Sequence, residues 1–168
     1  MSLALGWLLA LQSTFAEWSG ARPETGAALE ATIDYVKERK SGGKMVIEHQ
    51  AVGLYIADMA MNLEAARRLI WTAAWAKDHP EAFQDGSADY QPYEWMALAF
   101  TGTAVQRLTE QGLELFGGMG VIQGMPIEKY VRDAIVQKHI SFPFPTRYRI
   151  TEALTGYKRK QTPYLGNT

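Results

Sequence analysis

Apolar residues recur at steps of three and four through most of this chain, a spacing that predicts helix almost throughout. The clearest case runs from about Lys44 to Lys77, where Val52, Ile56, Met59, Leu63, Ala66, Ile70 and Ala73 form a heptad seam. Such a seam packs one helix along another in a bundle or coiled coil. The opposite side carries Asp58, Asn62, Glu64 and Arg68, with Glu64 and Arg68 ordered for a helical ion pair. Upstream, a helix is predicted over about Pro23 to Lys40, with Leu29, Ile33 and Val36 on one stripe and Gly42-Gly43 stopping it. Downstream, about Tyr93 to Phe116 places Leu98, Val105, Leu108 and Leu115 along one side. Pro126 to His139 makes a further helix, Pro143 and Pro145 break it, and a last short one runs from about Thr146 to near Gly156. The segment His79 to Pro92 is rich in Pro, Gly, Asp and Ser and reads as a solvated loop. No stretch alternates convincingly enough for a strand. The expected fold is all-α, an antiparallel four-helix bundle. It occupies about 20–160, after an N-terminal helix or connector over 1–19 and before a loose tail over 161–168.

Composition narrows the function classes. With 168 residues, 47% of them hydrophobic, the chain can fill one domain core. A net charge of −1 with mixed signs lacks the basic face that nucleic-acid binding requires. The absence of Cys excludes a disulfide framework and thiolate metal sites, and fits a reducing cytosol. The apolar run Leu3 to Leu11 is too short to span a bilayer, and no Lys or Arg precedes it as a secretory signal would require.

Several chemistries fail on spacing. Gly118-x-Gly120 has its third glycine at Gly124, one place late for a dinucleotide loop, and follows a helix instead of a strand. No Glu has a His three residues later, so the di-iron bundle pattern is missing. His49, His79 and His139 have no metal-ligand spacing. What remains suits an anionic, adenine-bearing ligand. Arg39, Lys40 and Ser41 stand at a helix end beside two glycines, offering cations and a hydroxyl where backbone can come close. The plainer alternative is that these cations complement the helix dipole. His49 falls on or beside the seam, as an interface histidine or a ligand contact. Glu114, before Gly117-Gly118, either reaches a ligand or caps the corner.

Taken together, Glu38-Arg-Lys-Ser-Gly-Gly-Lys44, Glu48-His-Gln-Ala-Val52, Glu114-Leu-Phe-Gly-Gly-Met-Gly-Val121 and Pro126-Ile-Glu-Lys-Tyr-Val-Arg-Asp-Ala134 resemble the C-terminal helical domain of the acyl-CoA dehydrogenases, from about Arg22 to Asp133. In that family the domain is a four-helix bundle paired with a second subunit, and FAD lies across the junction. The family's Arg-x-x-Phe-Gly-Lys element resembles Arg39 to Lys44, its His-Gln pair resembles His49-Gln50, and its Gln-x-x-Gly-Gly element resembles Glu114 to Gly118. The resemblance implies that Arg39, Ser41, His49, Gln50, Glu114 and Gly118 line the ADP half of a flavin held mainly by a partner subunit. That partner is either a second copy of the chain or a catalytic acyl-CoA dehydrogenase subunit.

The family motifs break at two positions. Gly42 stands where the family has an aromatic ring, and Glu114 replaces Gln, adding a negative charge that opposes a diphosphate. The family reaction is α,β-dehydrogenation of an acyl-CoA thioester. Its usual base positions correspond here to Ser141 and Ala21, neither of which can act as a base, while Glu17 and Glu24 are the nearby carboxylates. The catalytic residue is therefore unknown. The family's N-terminal helical and middle β-domains have no counterpart in the sequence. Three readings follow: a C-terminal domain or short subunit inactive alone, a non-catalytic pairing subunit, or a helical self-association module without flavin chemistry.

Overall fold

The computed structural model describes residues 24–79, 92–140 and 143–157. The apolar N-terminal run, most of the predicted loop before Pro92, the polar tail, and Glu17, Ala21 and Ser141 lie outside the described residues.

Helix α1 spans Glu24–Glu38. It buries Ala28, Thr32 and Val36 completely, whereas Leu29 and Ile33 of the expected stripe are only half-buried. The inner row is set by closeness of approach. A Cβ on Gly112 of the neighbouring helix would lie 2.8 Å from Thr32 Oγ1, so only small groups fit along this line. Thr32 is spared an unpaired hydroxyl because Oγ1 donates to the Ala28 carbonyl at 2.7 Å.

Where Gly42-Gly43 was expected merely to stop a helix, the chain makes a small hairpin. β1 (Lys40–Ser41) pairs antiparallel with β2 (Lys44–Met45), with Lys40 opposite Met45 and Ser41 opposite Lys44. Gly42 and Gly43 have φ of 61° and 84°, the left-handed pair that a two-residue hairpin turn needs. A 3-10 turn over Val46–Glu48 follows, so the long helix α2 begins only at Gln50 and ends at Asp78. The expected start at Lys44 was too early: Met45 and His49 continue the seven-residue spacing of the seam, but the hairpin and the 3-10 turn take up those residues. Along α2 the residues Val52, Met59, Ala66, Ile70, Ala73 and Ala76 are buried, while Ile56 and Leu63 are half-buried. Its 29 residues make about 43 Å of helix. Glu64 and Arg68 pair on its surface at 2.7 Å, as their spacing predicts.

Helix α3 (Pro92–Phe116) is the axis of the fold, packed against α1, α2, α4 (Pro126–Ile140) and α5 (Pro143–Thr155). It buries Ala97, Ala99, Thr101, Gly102, Ala104, Val105, Leu108, Thr109, Gly112 and Phe116, a set covering most of its circumference. Leu98 and Leu115, expected on the buried stripe, are half-buried, because small residues occupy the lines of closest contact. The core joins Ala28, Met59, Leu108, Phe116 and Ile127 from four helices. Pro143 does not lie in a break before the last helix but opens α5, in a first turn where a missing N–H costs nothing. The described residues thus form an all-α bundle of five helices, none long and apolar enough to cross a membrane.

Candidate functional site

Three chain segments meet at one end of the bundle: the end of α1 with its hairpin, the start of α2, and the end of α3. A stacked aromatic pair and the approach of His49 to the Ser41 carbonyl join them. Tyr35, one turn before Arg39, stacks on Phe116 with ring centroids 4.0 Å apart and planes 12° apart. Its hydroxyl donates to the Phe116 carbonyl at 3.3 Å. Hydrogen bonding and repulsion from the Glu114 carboxylate, in the last turn of α3, hold the phenol of Tyr55, in the second turn of α2, above its usual range, because ionising it would place two anions together.

Each of the six predicted residues belongs to this end. Arg39 follows α1 directly with its side chain exposed, and its carbonyl accepts from the Val46 N–H at 2.8 Å, closing the base of the hairpin. Ser41 lies in β1, exposed, and its carbonyl is 3.2 Å from His49 Nε2. When that nitrogen carries the proton it donates to Ser41, fixing the hairpin against the start of α2. The half-buried His49 is thus engaged by backbone, and its ring also lies 3.6 Å from where a Gly42 Cβ would be. Gln50 is exposed as the first residue of α2. Glu114 is exposed beyond its link to Tyr55. Gly118 lies exposed in the 3-10 turn Gly117–Val121, where an added Cβ would meet no atom within 4 Å.

Ser41 and His49 are in direct contact, and Glu114 is tied to α2 through Tyr55. Arg39 and Glu114 sit on different elements linked through the Tyr35–Phe116 stack. The sequence pattern singles out none of Tyr35, Tyr55 and Phe116. Tyr35 does carry a signal, since it lies one helical turn from Arg39 on the same face. Tyr55 gives none, because its partner is distant in the chain.

The surface has two characters. The hairpin presents Arg39, Lys40 and Lys44, all exposed, around an open glycine turn; no atom lies within 4 Å of a Cβ on Gly43. The α3 corner presents a carboxylate beside equally open backbone at Gly117 and Gly118. Cations and open backbone fit the phosphates of a nucleotide, and the residues present are compatible with the ADP portion of FAD.

The profile of the acyl-CoA dehydrogenase C-terminal domain matches residues 18–140. The chain belongs to the acyl-CoA dehydrogenase family, within that domain. It is 36% identical over 108 residues to the mitochondrial short-chain specific acyl-CoA dehydrogenase of Bos taurus, covering 64% of this chain and 24% of that one. A probable acyl-CoA dehydrogenase of Bacillus subtilis is 35% identical over 108 residues, covering 64% of this chain and 27% of the relative. Among solved structures, glutaryl-coenzyme A dehydrogenase in its glutaryl-CoA complex superposes with a TM-score of 0.74 at 26% identity, over 88% of this chain and 36% of that one. The chain thus spans about a quarter of the length of these curated relatives. Enzymes of this family are FAD-dependent oxidoreductases acting on CH–CH groups.

Proposed function

We propose that this chain contributes half of an FAD site at a contact between two subunits, as the C-terminal part of an enzyme that α,β-dehydrogenates acyl-CoA thioesters. The observation carrying this reading is the joining of the hairpin, the start of α2 and the glycine corner by Tyr35–Phe116 and Ser41–His49. Arg39 would hold phosphate, Ser41 and Gln50 would hydrogen-bond around it, His49 would brace the hairpin, and Glu114 with Gly118 would border the adenosine end. Bound flavin would supply a hydride acceptor for the β-carbon. This chain's part is to bind and orient; none of its residues is assigned the removal of the α-proton.

The partner is a second copy of the chain or a catalytic acyl-CoA dehydrogenase subunit. A role as the pairing subunit draws support from the outward face of α2. There Leu54 (65% exposed), Met61 (62%), Trp71 (50%) and Trp75 (49%) follow near-heptad spacing on the side away from the core. Arg68, paired to Glu64, interrupts this row and lies over Trp71, and the exposed apolar groups on either side of it mark an association site. A self-association module without flavin chemistry would use the same row, so Arg39→Ala separates the cases: a pure interaction module loses no FAD-dependent signal. The bundle extends over about 20–160, and the setting is cytoplasmic.

The purified chain is expected to be colourless and to reduce no dye with acyl-CoA. Co-expressed with a chain carrying the family's other domains, it should co-elute on size exclusion and raise flavin retention, and Arg39→Ala should lower that retention. Tight stoichiometric FAD binding by the chain alone, or separate elution of the two chains, would count against the reading.

A further inference from the structure

We propose that the apolar run Leu3 to Leu11 docks on the second half of α2, over Trp71 and Trp75, as the chain's own cover for that face. The inference is independent of the nucleotide half-site, which lies at the other end of α1.

The direction of α1 sets where the preceding chain emerges. Its end joins the hairpin that His49 fixes to the start of α2. Its beginning lies further along the same neighbour, since a Cβ on Gly26 would stand 3.6 Å from Arg67 Nη2. Helix α1 therefore runs antiparallel to α2 and starts, at Glu24, where α2 still has about three turns to go. Arg67, Trp71 and Trp75 stand on successive turns there, Arg67 exposed and both indoles about half exposed. Each indole is already engaged on one side. The Arg68 guanidinium lies 5.4 Å from the Trp71 ring centroid, and Trp75 stacks on His79. The exposed remainder is flat, apolar surface that suits an apolar occupant.

Three features of the sequence before Glu24 fit that face. Leu3, Leu5, Trp7, Leu8, Leu9 and Leu11 are concentrated in one short run, and Leu3, Trp7 and Leu11 recur at a helical step of four. Charge is complementary: Glu17 is the one charged side chain among residues 1–21, and it falls between the run and α1, on the approach to Arg67 and Arg68. Length matches as well. From Arg67 to Asp78 α2 rises about 16 Å, and residues 12–23 span about 18 Å if helical. Tethering through those residues keeps the run at an effective concentration of roughly millimolar, which favours it over the same run of a second copy. Arg68 then divides the outer row of α2: Trp71 and Trp75 are covered from within, while Leu54 and Met61 stay available to a partner.

The test uses the full chain, whose lack of Cys lets Ser13→Cys carry a single nitroxide. In nitrogen-15 spectra the label should broaden away the indole N–H signals of Trp71 and Trp75, and reducing the nitroxide should restore them. The amides from Leu54 to Met61 should persist throughout. Leu11→Asp, and separately Trp71→Ala at its exposed position, should bring back the Trp75 signal with far-UV dichroism unchanged. Absence of broadening overturns the proposal, as does broadening centred on Leu54 to Met61. Broadening that survives both variants reports only nearness along the chain and overturns it equally. A mixture of nitroxide-bearing, unenriched chain with unlabelled, nitrogen-15 chain separates the remaining case. Loss of the two indole signals there makes a second copy the occupant and overturns the cover from within; unchanged signals support it.

Discussion

Gly112 of α3 lies against Ile127 of α4 so closely that a Cβ on the glycine would stand 2.7 Å from Ile127 Cδ1. The same Cβ would meet Thr32 Oγ1 at 2.8 Å, so three helices converge on one missing methyl group. Ile127 and Thr32 are both fully buried, leaving neither much room to retreat. Gly112→Ala should therefore destabilise the fold by about 1–3 kcal/mol despite the better helix propensity of alanine. Ile127→Val removes the Cδ1 atom. In urea unfolding, the double variant should be more stable than the sum of the two single losses. Strict additivity would show that the clash is relieved elsewhere.

Gly120 and Gly118 should respond oppositely to alanine. A Cβ at Gly120 would lie 2.9 Å from the Leu113 carbonyl oxygen, and backbone cannot swing aside as a side chain does. Gly120→Ala should cost about 1–3 kcal/mol. Gly118→Ala adds its methyl to open space and should stay within about 0.5 kcal/mol of the parent. Thermal melts of the two variants check the contrast. Any loss of flavin retention by Gly118→Ala in the co-expressed complex then reports on ligand approach, not on folding.

The Tyr35–Phe116 contact should separate into a large apolar part and a small polar one. Phe116 is buried, so Phe116→Ala should cost about 3–5 kcal/mol. Tyr35→Phe keeps the stack and loses only the donor to the Phe116 carbonyl, a change of about 0.5–1.5 kcal/mol. Denaturant titrations of both variants measure the ratio directly.

The Tyr55 phenol should titrate above the ordinary tyrosine value, and Glu114→Gln should bring it back down. Ultraviolet difference spectra against Tyr55→Phe isolate this one group. The sign of the linkage follows from the raised folded value: the stabilisation is fully present below the ordinary tyrosine value of 10.0. It is lost as pH rises through the folded value, because the unfolded phenol releases its proton first. Glu114→Gln should flatten that alkaline slope.

What can be read from the sequence divides along the same physical line. The inner face of α2 is legible because its row of Val52, Met59, Ala66, Ile70 and Ala73 repeats strictly, and periodicity is a local property of the chain. The inner row of α1 differs from its sequence reading by one position: large Leu29 and Ile33 outweigh Ala28 and Thr32 in apolar pattern, yet smallness governs where Gly112 approaches. The hairpin escapes for a related reason, since two paired residues on each side are too few to show alternation, although Gly42-Gly43 carries the turn signal. Family motifs locate the candidate residues, but not their partners. Tyr55 opens one long helix and Glu114 closes the next, a pairing that no local pattern encodes.

The placement of α3 governs the order in which a growing polypeptide can mature. Its wall of alanines and threonines has neighbours made both earlier and later, so a ribosome that has released only α1 and α2 exposes a groove with nothing to occupy it. The central rod itself finds its last two neighbours only after α4 and α5 emerge. Assembly is consequently a late, cooperative event, and a message truncated before Pro126 should yield a product that proteases clear instead of a smaller working bundle.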